Sequence, residues 1–163
     1  MIPEYKTILY ATDLTPNAAF ALRHAVGIAR RYDAKVKVLH VLAEVDASVI
    51  NYVATVMGED RLADFEVQHH KEVAAEIKKR IEAFAADELD SHDDYIKRIV
   101  GIEARHGNPI AEILEAADEC NADLIVIGSH GKGRVSYAFL GSVAEKLLRK
   151  SHRPVLVVPL EKS

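Results

Sequence analysis

The sequence predicts an α/β fold in a single domain over residues 1–163, with one parallel sheet of five strands covered by helices on both faces. Three observations predict it. Short apolar runs recur along the chain, and the most apolar, Leu124-Ile125-Val126-Ile127, is continuous rather than alternating, as strands buried on both faces are. Between these runs lie stretches with apolar residues at helical spacing, two of which open on a capping residue followed by proline. With 163 residues, 49% of them hydrophobic, there is material for one sizeable core. Strands that alternate with helices favour a parallel sheet with right-handed crossovers. Periodicity does not give the strand order. The natural choice is the doubly wound order 3-2-1-4-5, with a switch point between the first and fourth strands.

Each element has its own signal. Ile8-Leu9-Tyr10-Ala11 is the first strand, closed by Thr12-Asp13. Thr15 is an N-cap and Pro16 the first helical residue, after which Ala18, Leu22, Ala25, Val26 and Ala29 form a stripe that ends near Tyr32-Asp33. Lys35 to Leu42 is the second strand, rich in valine, with His40 on the face opposite Val41. Residues 43–60 have no clean period and read as a loop with a short helix. Leu62, Phe65, Val73, Ile77, Ile81 and Phe84 share one face of the longest helix, about Arg61 to Leu89. The acidic stretch Glu88 to Asp94 reads as a solvated connection, and Ile96 to Ala104 as the third strand. Asn108 and Pro109 start a helix whose stripe is Ile110, Ile113, Leu114 and Ala117. Val143 to Lys150 is the last helix, with Val143, Ala144, Leu147 and Leu148 facing the core. Pro154 to Pro159 frames a final strand.

Composition narrows the function. A formal charge of −4 gives no basic footprint for nucleic acid. No apolar run approaches the roughly 18 residues that would span a bilayer, and no secretion signal is evident at the N-terminus. The single cysteine, Cys120, cannot form a disulfide within the chain and reads as a small hydrophobe at a helix end. A cytoplasmic location is the expectation. The neighbours His69 and His70 invite a metal reading, but adjacent helical residues diverge by about 100° and no histidine four residues on completes a chelate. A metal site is left unassigned.

The distinctive stretch is Gly128 to Ser142, GSHGKGRVSYAFLGS, which follows the fourth strand and precedes the last helix. Glycine permits close backbone approach, and a strand-to-helix turn points N–H groups at an anion, so a phosphate cradle is one reading and a surface loop the other. The topology supports the first, because it brings this loop and Asp13 to one crevice at the carboxyl ends of strands. Two familiar motifs fail. The Walker loop needs G-x-x-x-x-G-K-S/T, but Arg134-Val135 follow Gly133. The dinucleotide fingerprint needs a third glycine where Ser136 stands.

A third pattern fits. Gly128-x2-Gly131-x9-Gly141-Ser142 resembles the nucleotide-binding motif of the ATP-binding branch of the universal stress protein family. Ile8 to Asp13, Leu39-His40-Val41, Gly107-Asn108-Pro109, Gly141 to Lys146 and Arg153 to Val158 are similar to family sequence as well, in order along the chain. The resemblance is weakest over residues 43–95. One departure is Leu14-Thr15 after the aspartate, where the family often has a small residue and then serine.

The resemblance implies a Rossmann-like, adenine nucleotide alpha hydrolase-like three-layer sandwich. It implies that Asp13 contacts the ribose or adenine side and that the backbone of Val41 bonds the adenine edge. Gly128, Gly131 and Gly141 would wrap the phosphates, with Ser142 donating to them. Ala11, Thr12, Ile127, His130, Gly133 and Val143 complete the expected nucleotide-binding set, and no catalytic residue is assigned. Lys132 and Arg134 could sense phosphate charge. The implied cofactor is ATP, with or without Mg²⁺. The implied assembly is a homodimer paired through residues 154–159, open to a higher oligomer and to a regulatory protein partner, without nucleic acid or membrane insertion. The expected function is a nucleotide-dependent regulator in the stress response. Its rival is a slow ATPase, or an autophosphorylating or phosphotransfer protein, for which no second carboxylate can be named.

Overall fold

The computed structural model describes residues 1–42, 47–88, 93–129 and 140–159. Five parallel strands form one sheet: β1 (Thr7–Thr12), β2 (Lys35–Leu42), β3 (Ile99–His106), β4 (Leu124–Gly128) and β5 (Val155–Val158). Their order is β3-β2-β1-β4-β5, as expected from the doubly wound pattern. Among the described residues six helices connect them: α1 (Pro16–Tyr32), α2 (Ala47–Met57), α3 (Glu59–Glu88), α4 (Asp93–Arg98), α5 (Pro109–Glu119) and α6 (Ser142–Lys150).

The pleat of the strands sorts the core into two layers. Ile8 and Tyr10 of β1, Val36 and Val38 of β2 and Val126 of β4 pack with Leu22, Ala25 and Val26 of α1 and Ile77 of α3. The alternate residues Leu9, Leu39, Ile125 and Ile127 pack with Ile110, Ile113 and Ala117 of α5 and with Ala144 and Leu147 of α6. At the β3 edge Arg105 ties the sheet to α5. Its guanidinium pairs with Glu103 at 2.8 Å, with Glu112 at 3.6 Å and with Glu119. Among the described residues no helix is long and apolar enough to cross a membrane.

Three readings of the sequence are corrected. The helical turn α4 takes Asp93 and Asp94 from the expected acidic connection and Ile96 to Arg98 from the expected strand, Glu88 belongs to α3, and β3 starts only at Ile99. Ile96 is exposed, while Arg98 reaches back to the Ala29 carbonyl at 3.2 Å and the Asp33 carboxylate at 3.0 Å, which seats the turn on the end of α1. The longest helix begins at Glu59, two residues before Arg61, and runs to Glu88, while Leu89 lies outside the described residues. Leu148 is 47% exposed and does not join the core, because Ala144 and Leu147 already fill the face of α6 against the sheet. The side chains of Leu62, Phe65 and Phe84 lie outside the described residues, whereas Ile77 and Ile81 are buried as expected.

Cys120 is half-buried at the end of α5, and burial holds its thiol above the ordinary range, as for a small apolar residue. His69 lies edge-on to His106 of β3, with ring centroids 6.1 Å apart. The side chain of His70 lies outside the described residues. Among the described residues no group of three potential ligands could hold a metal ion.

Candidate functional site

The strands of a parallel sheet end together, and at their carboxyl ends the chain opens a cleft of about 310 Å³. Three strands and three helices build its floor and walls. β1 contributes Ala11, Thr12 and the following Asp13, β2 contributes Val41, and β4 contributes Ile127 and Gly128, followed by Ser129. From the helices come Ala18 of α1, Pro109 and Ile113 of α5, and Gly141 to Ala144 at the start of α6. The position is the switch point of the sheet, where chains leaving β1 and β4 part to opposite faces.

Each rim is locally determined. After β1 the chain turns sharply, with Leu14 at φ 65°, a left-handed conformation uncommon for leucine. The Leu14 amide donates to Thr12 Oγ1 at 3.0 Å. Asp13 Oδ1 accepts from the amide of Thr15 at 3.0 Å and from its hydroxyl at 2.5 Å. On the other rim, Gly141 donates to the Ser129 carbonyl at 2.7 Å, and Ser129 donates to the Val158 carbonyl at 2.8 Å. These bonds tie Ser129 to Gly141 on one side and to β5 on the other.

Three helices start at or beside the cleft, and their first turns differ. A helix leaves its first N–H groups without internal partners. In α1 the cap is Thr15, whose Oγ1 accepts from Ala18 at 3.3 Å. In α5 it is Asn108, whose Oδ1 accepts from Ile110 at 3.0 Å and from Ala111 at 3.1 Å. In α6 the cap position is Gly141, which has no side chain to offer. The first turn of α6 therefore presents backbone donors, with the positive end of the helix dipole, to the cleft.

Nine of the residues expected from the sequence line this cleft: Ala11, Thr12, Asp13, Val41, Ile127, Gly128, Gly141, Ser142 and Val143. Three others, His130, Gly131 and Gly133, lie outside the described residues, as do Lys132 and Arg134. Gly141 is buried at φ −64° and ψ 155°, so its glycine is not required by a left-handed backbone. It lies on the cleft wall.

The nucleotide-binding set expected from the sequence lacked Ala18, Pro109, Ile113, Ser129 and Ala144, which also line the cleft. Ile113 and Ala144 were legible as core residues, and each both packs in the core and faces the cleft at its edge. The place of Pro109 at the cleft beside β2 follows only once β2 and the start of α5 are brought together, which the bond from the Gly107 amide to the Leu42 carbonyl at 3.0 Å does.

Known proteins share this architecture. Universal stress protein MJ0577 of Methanocaldococcus jannaschii is 31% identical over 163 residues, covering 98% of each chain. Its solved structure superposes with a TM-score of 0.70 at 30% identity, over 99% of this chain and all of that one. The universal stress protein UspA of Lactobacillus plantarum has the same fold, with a TM-score of 0.68 at 24% identity over 96% and 99% of the two chains. So has a universal stress protein solved in complex with cAMP, with a TM-score of 0.56 at 24% identity over 96% and 98%. The sequence model of the universal stress protein family matches residues 4–159, so with the fold and the glycine spacing in place the chain belongs to that family.

Proposed function

We propose that the cleft takes an adenine nucleotide, ATP foremost, and that the protein is a nucleotide-dependent regulator in the stress response rather than an efficient enzyme. The observation that carries this reading is the contrast between the three helix starts. α1 and α5 spend a side chain on their own first turns, while α6 leaves its donors to the cleft behind a glycine. A phosphate group would satisfy those donors.

The remaining residues fit the rest of such a ligand. Val41, Pro109, Ile113 and Ile127 offer apolar walls suited to a base, and the Asp13 carboxylate can accept from sugar or base donors. A volume of about 310 Å³ lies at the lower end of the range for small-molecule sites. Gly141, Ser142 and Val143 would hold phosphate, and Mg²⁺ would accompany it as part of the ligand. A protein of this fold was solved with cAMP, which is a reason to include monophosphates among the probes.

The assembly we propose is a cytoplasmic homodimer. β5 pairs with β4 along one edge, and among the described residues its other edge has no strand beside it. An open strand edge can pair with a second copy, and the flanking Pro154 and Pro159, which have no N–H to donate, confine that pairing to the four residues between them.

Native mass spectrometry of the purified protein, without added nucleotide, tests both parts at once. The expected spectrum shows a dimer that releases an adenine nucleotide on activation. A nucleotide-free protein that takes up none of AMP, ADP, ATP or cAMP at millimolar concentration would overturn the ligand assignment. Rapid multiple-turnover hydrolysis of ATP would overturn the regulator reading.

A further inference from the structure

The turn from Thr12 to Thr15 carries Asp13 into the cleft, and it is held from outside the cleft by two side chains that do not line it. His40 of β2 is 7% exposed and lies beside Thr12 in the sheet register. Its Nδ1 is 2.7 Å from the Thr12 carbonyl oxygen. A carbonyl can only accept, so Nδ1–H is the donor, and this stays true whether or not Nε2 is protonated. Arg80 of α3 donates through Nη1 to the Leu14 carbonyl at 2.9 Å. Between these two, the Leu14 amide donates to Thr12 Oγ1 at 3.0 Å.

These bonds fall on three consecutive peptide groups. The Thr12 carbonyl belongs to the peptide entering Asp13, the Leu14 amide to the peptide leaving it, and the Leu14 carbonyl to the next. The conformation they hold is one a leucine rarely adopts, with φ 65° at Leu14. A strained backbone beside a cleft persists only where its surroundings over-determine it. Without its tethers the turn would relax toward ordinary φ, and the Asp13 carboxylate would move with the peptides on either side of it.

We infer that His40 and Arg80 are positioning residues for Asp13, fixing the strained turn in the conformation that presents the carboxylate to the nucleoside part of the ligand. The inference rests on the nucleotide reading above and adds two residues to it, one from β2 and one from α3. The phosphate side of the cleft hangs on α6 and is independent of both. A defect in the turn should therefore weaken nucleoside recognition and spare phosphate recognition.

Calorimetric titration of AMP and of inorganic tripolyphosphate into wild type, His40→Leu, His40→Asn, Arg80→Ala and Arg80→Lys tests this, with the apo melting temperature of each variant recorded alongside. Loss of one buried hydrogen bond corresponds to about a tenfold change in Kd. His40→Leu should weaken AMP about tenfold and tripolyphosphate less than about twofold. His40→Asn, whose amide can donate from nearly the Nδ1 position, should stay within about threefold of wild type. Arg80→Ala, at an exposed site where water competes, should cost about threefold for AMP, and Arg80→Lys should restore it. Equal losses for both ligands, unchanged AMP binding in His40→Leu and Arg80→Ala, or an asparagine variant as weak as leucine would overturn the positioning role. The exposed Arg80 pair keeps the test decisive if His40→Leu fails to fold. A wild type that binds neither probe would instead overturn the nucleotide reading itself.

Discussion

Asp123 and Thr7 hold each other by two bonds. The Thr7 amide donates to Asp123 Oδ2 at 2.9 Å, and the Asp123 amide donates to the Thr7 carbonyl at 2.8 Å. The same carboxylate oxygen takes the Lys6 amide at 2.8 Å. The starts of β1 and β4 are thus locked at the end of the sheet remote from the cleft, and the relative placement of their carboxyl ends depends on that lock.

Asp123→Ala removes two charge-assisted bonds to backbone amides at a partly exposed site. The expected loss is about 1–2 kcal/mol, below the full value for buried charged bonds because water can reach the amides. In a chain of this size that lowers the melting temperature by roughly 2–8 °C. Calorimetry checks it, and a change of less than 1 °C would show the lock to be redundant.

Gly107 is needed for its backbone. It sits at φ 137°, and a Cβ there would meet Glu112 Oε1 at 3.0 Å. Gly107→Ala should destabilise the protein by about 1–3 kcal/mol, the range for a residue forced into a sparsely populated backbone region. Adding Glu112→Ala removes the clash and leaves the dihedral strain. Urea unfolding of the double variant should therefore recover less than half of the loss, and full recovery would place the whole cost in the side-chain contact.

Tyr10 gives the protein an alkaline limit. It is buried, its hydroxyl donates to the Ala18 carbonyl, and burial raises its pKa well above the ordinary value, with the Asp13 charge adding to the effect and a bond with the Thr12 side chain opposing it. A group whose folded pKa is raised contributes stability that is whole below its unfolded pKa, about 10, and is lost as pH rises through the folded value. The stability of the wild type should fall above pH about 10, with up to about 1.4 kcal/mol per pH unit from this residue. Tyr10→Phe should be less stable at neutral pH by about 1 kcal/mol and show a shallower alkaline limb. Parallel limbs in the two proteins would assign the alkaline loss to other groups.

Much of this was legible in the sequence, for reasons that can be located. Thr15-Pro16 and Asn108-Pro109 announced two helices because cap and proline act within a single turn, and both caps form the expected bonds. Leu124 to Ile127 announced a central strand because both its faces are buried. The β3 boundary was not legible, since Ile96-Lys97 reads as the apolar-polar start of a strand and only the contact of Arg98 with the end of α1 decides for a helical turn. In the cleft, the residues that end strands or start α6 stood out by motif. Ile113 and Ala144 did not, because a residue that packs on one side and borders a ligand on the other carries only the packing signal in its sequence. Nor could spacing show His40 and Arg80 at the Thr12 and Leu14 carbonyls, which lie 28 and 66 residues away along the chain.

The two-layered core has a consequence for how perturbations spread. Val26 of α1 and Leu147 of α6 belong to separate packed sets on opposite faces of the sheet. Free-energy changes at sites with no shared partners add, and those within one packed set do not. The sheet is therefore a partition between two largely additive compartments. The cleft is walled mainly by the compartment of α5 and α6, to which α1 adds the buried Ala18. Sequence drift in the α1–α3 compartment can thus proceed with little epistasis on the cleft, except through the residues that reach the β1–α1 turn.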